Sequence, residues 1–167
     1  MAKEKNFARG PRIRSGGQTG VDRAALDAAV LMGRPYEGWC PKGGWAEDFL
    51  RPPGLLTIYP HLMETPSESP EQRTEWNVRD SDATLVLWPG TFDKLDLGTR
   101  YAIDCALRYK KYLLICDPTE QHQVNKAIDW IIRNNIETLN VSGPSEGTSP
   151  GVGALAERFI RELLYAC

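Results

Sequence analysis

Ser15-Gly16-Gly17-Gln18-Thr19-Gly20 is the densest cluster of ligand-binding residue types in the chain. Glycine adopts positive φ at little cost and lets a backbone approach a ligand closely. The amide of Gln18 and the hydroxyl of Thr19 can bond phosphate oxygens or the N–H groups of a following helix. An extended stretch, Arg12–Arg14, leads into this turn, and a mostly apolar helical segment follows over about Val21 to Met32. Strand, loop and helix in that order offer unpaired N–H groups and a positive dipole end to an anion. The predicted chemistry is therefore phosphate binding. The spacing departs from the two commonest phosphate loops. A Walker loop needs Lys and Ser/Thr after its last glycine, but Val21 and Asp22 follow Gly20. The dinucleotide fingerprint needs G-x-G-x-x-G, and Glu37 makes only a weak ribose-binding acid without it. A tight turn that packs the helix on its strand is the competing reading.

Other candidates lie further along. Lys42, within Cys40-Pro41-Lys42-Gly43-Gly44, either neutralises a phosphate or is an exposed loop lysine. Arg73 and Asn77 are four apart on a polar helix and are expected to face one pocket, whereas Arg79 and Asp80 read as a surface pair. Gly98-Thr99 opens a helix, so Thr99 is a candidate for capping or for phosphate contact. Asp22 suits a helix first turn on dipole grounds alone, and Arg23 with Asp27 has i,i+4 spacing for an exposed pair. His61 and His122 read as surface residues, and Cys105 and Cys116 as inert members of core stripes. Cys40 is the one cysteine in a candidate site loop, where a metal or sulfur contact is the minority reading. No Ser-His-Asp, Cys-His or paired-carboxylate set emerges, and no metal site. The expected site binds and does not catalyse.

The elements that would position these residues follow from periodicity. Extended pieces are expected near Tyr36–Trp39, Leu55–Tyr59, Ala83–Trp88, Tyr112–Cys116 and Leu139–Val141, with a surface loop over Pro60–Ser69. A helix over Pro70–Asp80 has Ser69 as N-cap and Pro70 at its first position. Tyr101, Ala102, Cys105, Ala106 and Tyr109 mark the next helix, and Val124, Ala127, Ile128, Ile131 and Ile132 another. A final helix after Gly151 carries Val152, Leu155, Ala156, Phe159, Ile160 and Leu163 as its stripe. Alternating strands and helices predict an α/β, Rossmann-like, doubly wound, mainly parallel sheet with helices on both faces. Ligands in such folds bind beyond the carboxyl ends of the strands. Three Gly/Ser/Thr-rich loops should converge there: Ser15–Gly20, Pro89–Thr99 and Ser142–Gly151. A small phosphorylated molecule is the implied ligand.

The 167 residues suit one domain over 11–167 after a flexible arm over 1–10. A net charge of −2 argues against a nucleic-acid footprint. No apolar run is long enough to span a bilayer, and MAKEKNFARGPR lacks the apolar core of a signal peptide. Four scattered cysteines without C-x-x-C support neither a zinc site nor a disulfide framework. The expected location is cytoplasmic.

SGGQTGVDRAALDAA (Ser15–Ala29), GWCPKG (Gly38–Gly43), AEDF (Ala46–Phe49), RTEWNVRDSDATLVL (Arg73–Leu87) and LNVSGPSE (Leu139–Glu146) together resemble the family named "putative molybdenum carrier". It is the molybdenum cofactor carrier group, related to lysine-decarboxylase-like phosphoribohydrolases. The resemblance runs in order over nearly the whole chain. It implies a homo-oligomer, a tetramer, that holds the molybdenum cofactor (molybdopterin) as cargo, shields it from oxidation and delivers it to molybdoenzymes or cofactor-insertion proteins. By motif match the binding surface would comprise Ser15, Gly16, Gly17, Gln18, Thr19, Gly20, Lys42, Gly43, Gly98 and Thr99; the residue reading adds Arg73 and Asn77. The segment before Gly98, with Lys94, Asp96 and Leu97, is longer than the relatives' compact glycine pair. The enzyme alternative is a nucleoside-monophosphate phosphoribohydrolase. Such enzymes carry P-G-G-x-G-T with acids directly after the threonine, whereas Arg100 and Tyr101 follow Thr99 and the first acid is Asp104. A sensor of a nucleotide-like ligand is the third reading.

Overall fold

The computed structural model describes residues 10–167. The arm expected over residues 1–10 lies, apart from Gly10, outside the described residues. In chain order the elements are β1 (Arg12–Arg14), α1 (Val21–Leu31), β2 (Tyr36–Cys40), a 3-10 turn (Gly54–Thr57), β3 (Leu62–Glu64), α2 (Pro70–Arg79) and β4 (Ala83–Leu87). They continue with a second 3-10 turn (Phe92–Lys94), α3 (Leu97–Arg108), β5 (Tyr112–Cys116), α4 (His122–Arg133), β6 (Thr138–Ser142) and α5 (Val152–Ala166).

The strands form one sheet in the order β3-β2-β1-β6-β4-β5, and every strand pair is parallel. This is the expected Rossmann-like α/β architecture. Alternation along the strands sends Ile13, Leu85, Leu139 and Val141 to one face, where they pack with α1, α4 and α5 around fully buried Phe159, Ile160 and Leu163. Leu113 faces the other way and packs with Val78 of α2 and Cys105 and Ala106 of α3. A smaller cluster, Leu26, Cys40, Leu55, Tyr59 and Leu62, fills the β2–β3 end. Among the described residues no helix is long and apolar enough to cross a membrane.

Two boundaries differ from the sequence expectation. Leu55–Tyr59 is not a strand. Gly54 takes φ of +52°, and the chain turns through a 3-10 helix that buries Leu55 and Tyr59, four residues apart. The strand lies instead in the stretch expected to be loop, where Leu62 is the one buried residue of β3. Ser69 caps α2 and Pro70 opens it, as the sequence predicts.

The chain adds β2 and β3 on one side of β1, then crosses to β4 and β5 on the other, and β6 fills the gap between β1 and β4. That reversal is the topological switch point, where doubly wound sheets hold ligands. The turns after β1, β4 and β6 leave the sheet there.

Candidate functional site

The turn after β1 and the turn after β6 do converge, but they close on each other. The Val21 N–H donates to the Pro144 carbonyl at 3.1 Å. Gly20, with φ of +81°, leaves no room for a side chain against that same carbonyl. Thr19 Oγ1 accepts the Glu146 N–H at 3.1 Å and donates to the Glu47 carboxylate. Gln18 Oε1 accepts from Thr19 N and Glu47 N, both at 3.0 Å. Ser15 Oγ donates to the Val141 carbonyl at 3.0 Å and is fully buried. Gly17 packs beneath Leu55. The segment Ala46–Phe49 thus roofs the loop, and the polar groups at its tip hold neighbouring loops in place.

The anion position beneath that roof belongs to Asp22. Its buried carboxylate accepts the Arg73 guanidinium, with Nη1 to Oδ2 at 2.9 Å, and lies near enough to the backbone N–H groups of Gly16 and Gln18 to feel both. Burial pushes the Asp22 carboxyl above its ordinary value, and Arg73 and the two N–H groups offset only part of that rise. The Arg73 contact is the charge-assisted bond that keeps this buried carboxylate partnered.

The same solution recurs around this edge of the sheet. Glu146 accepts from Gly151 N at 2.8 Å and Gly153 N at 2.6 Å, so its carboxylate sits at the start of α5. Asp96 accepts from Thr99 N at 2.7 Å and Thr99 Oγ1 at 3.0 Å. Of the two roles open to Thr99, the structure gives it capping: it is almost fully buried and both its donors are spent on Asp96. The Asp96-x-x-Thr99 spacing carries a capping signal that a sequence reading could have used.

Two depressions border residues expected at the site. One, of ≈ 440 Å³, lies between the starts of α2 and α3 and is lined by Arg73, Thr74, Gly98, Arg100, Tyr101 and Asp104 among others. Its volume is within the range of small-molecule sites. Arg100 makes no side-chain hydrogen bond or ion pair with the described residues. The other, of ≈ 600 Å³, is bordered by Lys42, Gly43, Trp45, Leu50, Glu64 and Glu68. Gly43 N donates to Glu64 at 2.6 Å there. The predicted residues therefore divide: Arg73 and Gly98 at the first depression, Lys42 and Gly43 at the second, and Ser15–Gly20 in the packed turn.

Asn77 does not share a pocket with Arg73. It is buried, and its amide brackets the backbone of Trp39, accepting from Trp39 N at 2.8 Å and donating to Trp39 O at 2.9 Å. The expected Arg23–Asp27 pair is replaced by longer-range partners. Arg23 forks onto Asp48 with two bonds of 2.8 Å, and Asp27 accepts from the Tyr59 hydroxyl. Arg79 and Asp80 pair as expected, at 2.7 Å, and Asp80 also accepts the Trp39 indole N–H at 2.8 Å. Cys40 is fully buried, and desolvation with Glu64 nearby pushes its thiol up to about 11. Among the described residues no group of three His, Cys, Asp or Glu side chains is placed to hold a metal ion. The sequence reading missed Arg100 at the first depression, Glu146 at the start of α5, and Glu47, whose partners Thr19 and Gly147 come from distant segments.

The model of the circularly permutated YpsA SLOG family matches residues 13–164. A crystal structure of a "putative molybdenum carrier protein" from Syntrophus aciditrophicus SB is 34% identical, with a TM-score of 0.81, over 93% of this chain and 95% of that one. A comparison with curated proteins finds no match.

Proposed function

The chain belongs to the circularly permutated YpsA SLOG family, and from that membership and the site's geometry we propose that it binds the molybdenum cofactor as cargo. The protein holds the molybdopterin by its terminal phosphate, protects it from oxidation and releases it to molybdoenzymes or cofactor-insertion proteins. It works as a homotetramer in the cytoplasm and without catalysis of its own.

The carrying observation is the pair of guanidinium groups on the depression between α2 and α3, one of them, Arg100, with no partner among the described residues. Two arginines facing one concavity favour a doubly charged phosphate group over a neutral ligand. Gly98 keeps the start of α3 clear of side-chain bulk beside them. Lys42 and Gly43, at the second depression, offer a further cationic contact to a long ligand. The related solved structure, a putative molybdenum carrier over nearly its whole length, supports the choice of cargo. Arg100 and Tyr101 after Thr99, where the related hydrolases carry acids, support binding over hydrolysis.

The test is anaerobic titration of the purified protein with molybdenum cofactor, followed through a desalting column and by cofactor lifetime in air. Stoichiometric retention with slowed oxidation is expected. Passage of the cofactor through the column, or release of free adenine from AMP by the protein, would overturn the reading.

A further inference from the structure

The glycine-rich turn has the composition of a phosphate loop, yet its N–H groups are not offered to a ligand. The Asp22 carboxylate lies against the N–H groups of Gly16 and Gln18 and receives Nη1 of Arg73, which comes from 51 residues further along the chain. The Arg73 side chain lies flat across Gly16. A Cβ built on Gly16 would stand 2.8 Å from Arg73 Cδ and 3.0 Å from Cζ, closer than real contacts allow. Gly16 is not among the glycines with positive φ, so what a side chain there would meet is the crossing arginine, which would have to shift. Arg73 is 13% exposed at its side chain and borders the depression that Arg100 also lines, and its Nε is buried with no hydrogen-bond partner. With Nη1 held by Asp22 and Nε buried, Nη2 is the nitrogen left to make a charge-assisted contact with an anion in the depression.

We propose that Asp22 is a positioning residue: buried against the Gly16–Gln18 turn, it fixes Arg73 across Gly16 so that the guanidinium presents Nη2 to a phosphate-type anion in the α2–α3 depression. The proposal rests on the anion-binding reading above and deepens it. The loop acts on the ligand through two relays, from backbone to carboxylate and from carboxylate to arginine. It is not itself the anion site. A pre-fixed arginine also loses less side-chain freedom on binding than a mobile one.

The probe is inorganic phosphate, added to the full chain and followed by NMR at the Arg73 Nε–H and at the Gly16 and Gln18 amides. In the wild type, phosphate is expected to shift the Arg73 signal and leave both amides in place. Asp22→Asn opposes an amide donor to the loop N–H groups, so the Arg73 side chain should become mobile and phosphate affinity fall about tenfold, the loss of one charge-assisted contact. Gly16→Ala leaves every charge intact and displaces the arginine by contact alone, so it should produce the same loss if Asp22→Asn does not fold. Asp22→Asn combined with Arg73→Lys should be no weaker than Arg73→Lys alone, because both act on one contact. Phosphate shifts centred on Gly16 and Gln18, unchanged affinity in Gly16→Ala, or additive losses in the double variant would each overturn the proposal. A phosphate response that depends on Asp22, in a protein that does not retain molybdopterin, would keep this inference and remove the choice of cargo.

Discussion

Replacing Glu146 by alanine tests whether the protein's own carboxylates, and not a ligand, complete the helix starts at this edge. Glu146 is half-buried and spans the turn before α5, accepting from Gly151 N and Gly153 N. Gly151 sits at the N-cap with φ of +89° and has no side chain to cap the helix, so Glu146 does that work from outside. Loss of such a cap costs about 0.5–2 kcal/mol, and loss of a negative charge at a helix start about 0.3–1 kcal/mol more. The expected total is about 2 kcal/mol. For a chain of this length that lowers Tm by about 4–8 °C. Glu146→Gln keeps one acceptor and should fall by less. The assay is thermal and urea unfolding followed by circular dichroism, with phosphate titration of each variant beside it. Phosphate affinity should be unchanged, since Glu146 does not line the α2–α3 depression. An unchanged Tm together with altered phosphate affinity would show that the start of α5 is an open ligand site, and the reasoning would fail.

Three further outcomes are expected. Arg100→Glu should abolish phosphate binding at the α2–α3 depression while changing stability by no more than about 0.5 kcal/mol, whereas Lys42→Ala should leave phosphate binding intact and weaken only a ligand long enough to reach the second depression. The Cys40 and Cys116 thiols, both pushed up to about 11 by burial, should hold about one thiolate in a thousand at pH 8 and resist iodoacetamide until the protein unfolds; mass spectrometry showing rapid labelling of Cys40 in the native protein would contradict its placement. The Arg23 hydrogen bonds hold the Asp48 carboxyl below its ordinary value, so the pair stabilises the fold above about pH 4 and this contribution is lost as pH falls through the lowered value. Asp48→Asn should therefore flatten the acid limb of the stability curve by less than about 1 kcal/mol, because the carboxylate is partly exposed; a larger change would assign Asp48 a role beyond this pair.

Local signals carried the element types well. Ser69-Pro70 marks the start of α2, and the continuous apolar run Ala83–Leu87 marks a strand covered on both faces. The β3 region failed because a three-residue edge strand with one buried side chain leaves no periodicity to read. Leu55 and Tyr59 supplied the apolar content of a strand in a segment that Gly54 turns away from the sheet. The insertion of β6 between β1 and β4 is a long-range choice that no local pattern encodes. At the site, residue types were legible and partners were not. Asp22 reads as a favourable first-turn acid, and only the fold brings Arg73 to it. Arg23 had a possible partner four residues on, and a bidentate fork from Asp48 won over it. The glycine-rich turn reads as a phosphate loop in the sequence, whereas in the folded chain the buried Asp22 carboxylate lies against it. Which anion fills it depends on burial, and burial is a property of the folded chain.

Molybdenum anomalous diffraction from crystals loaded with the cofactor under anaerobic conditions tests the central claim most directly. The account predicts one molybdenum peak per chain at the depression between α2 and α3, with cofactor phosphate density against Arg73 and Arg100 and the bond between Asp22 and Arg73 intact. A peak at the start of α1 with Asp22 displaced, or a loaded crystal with no molybdenum near either arginine, would contradict it.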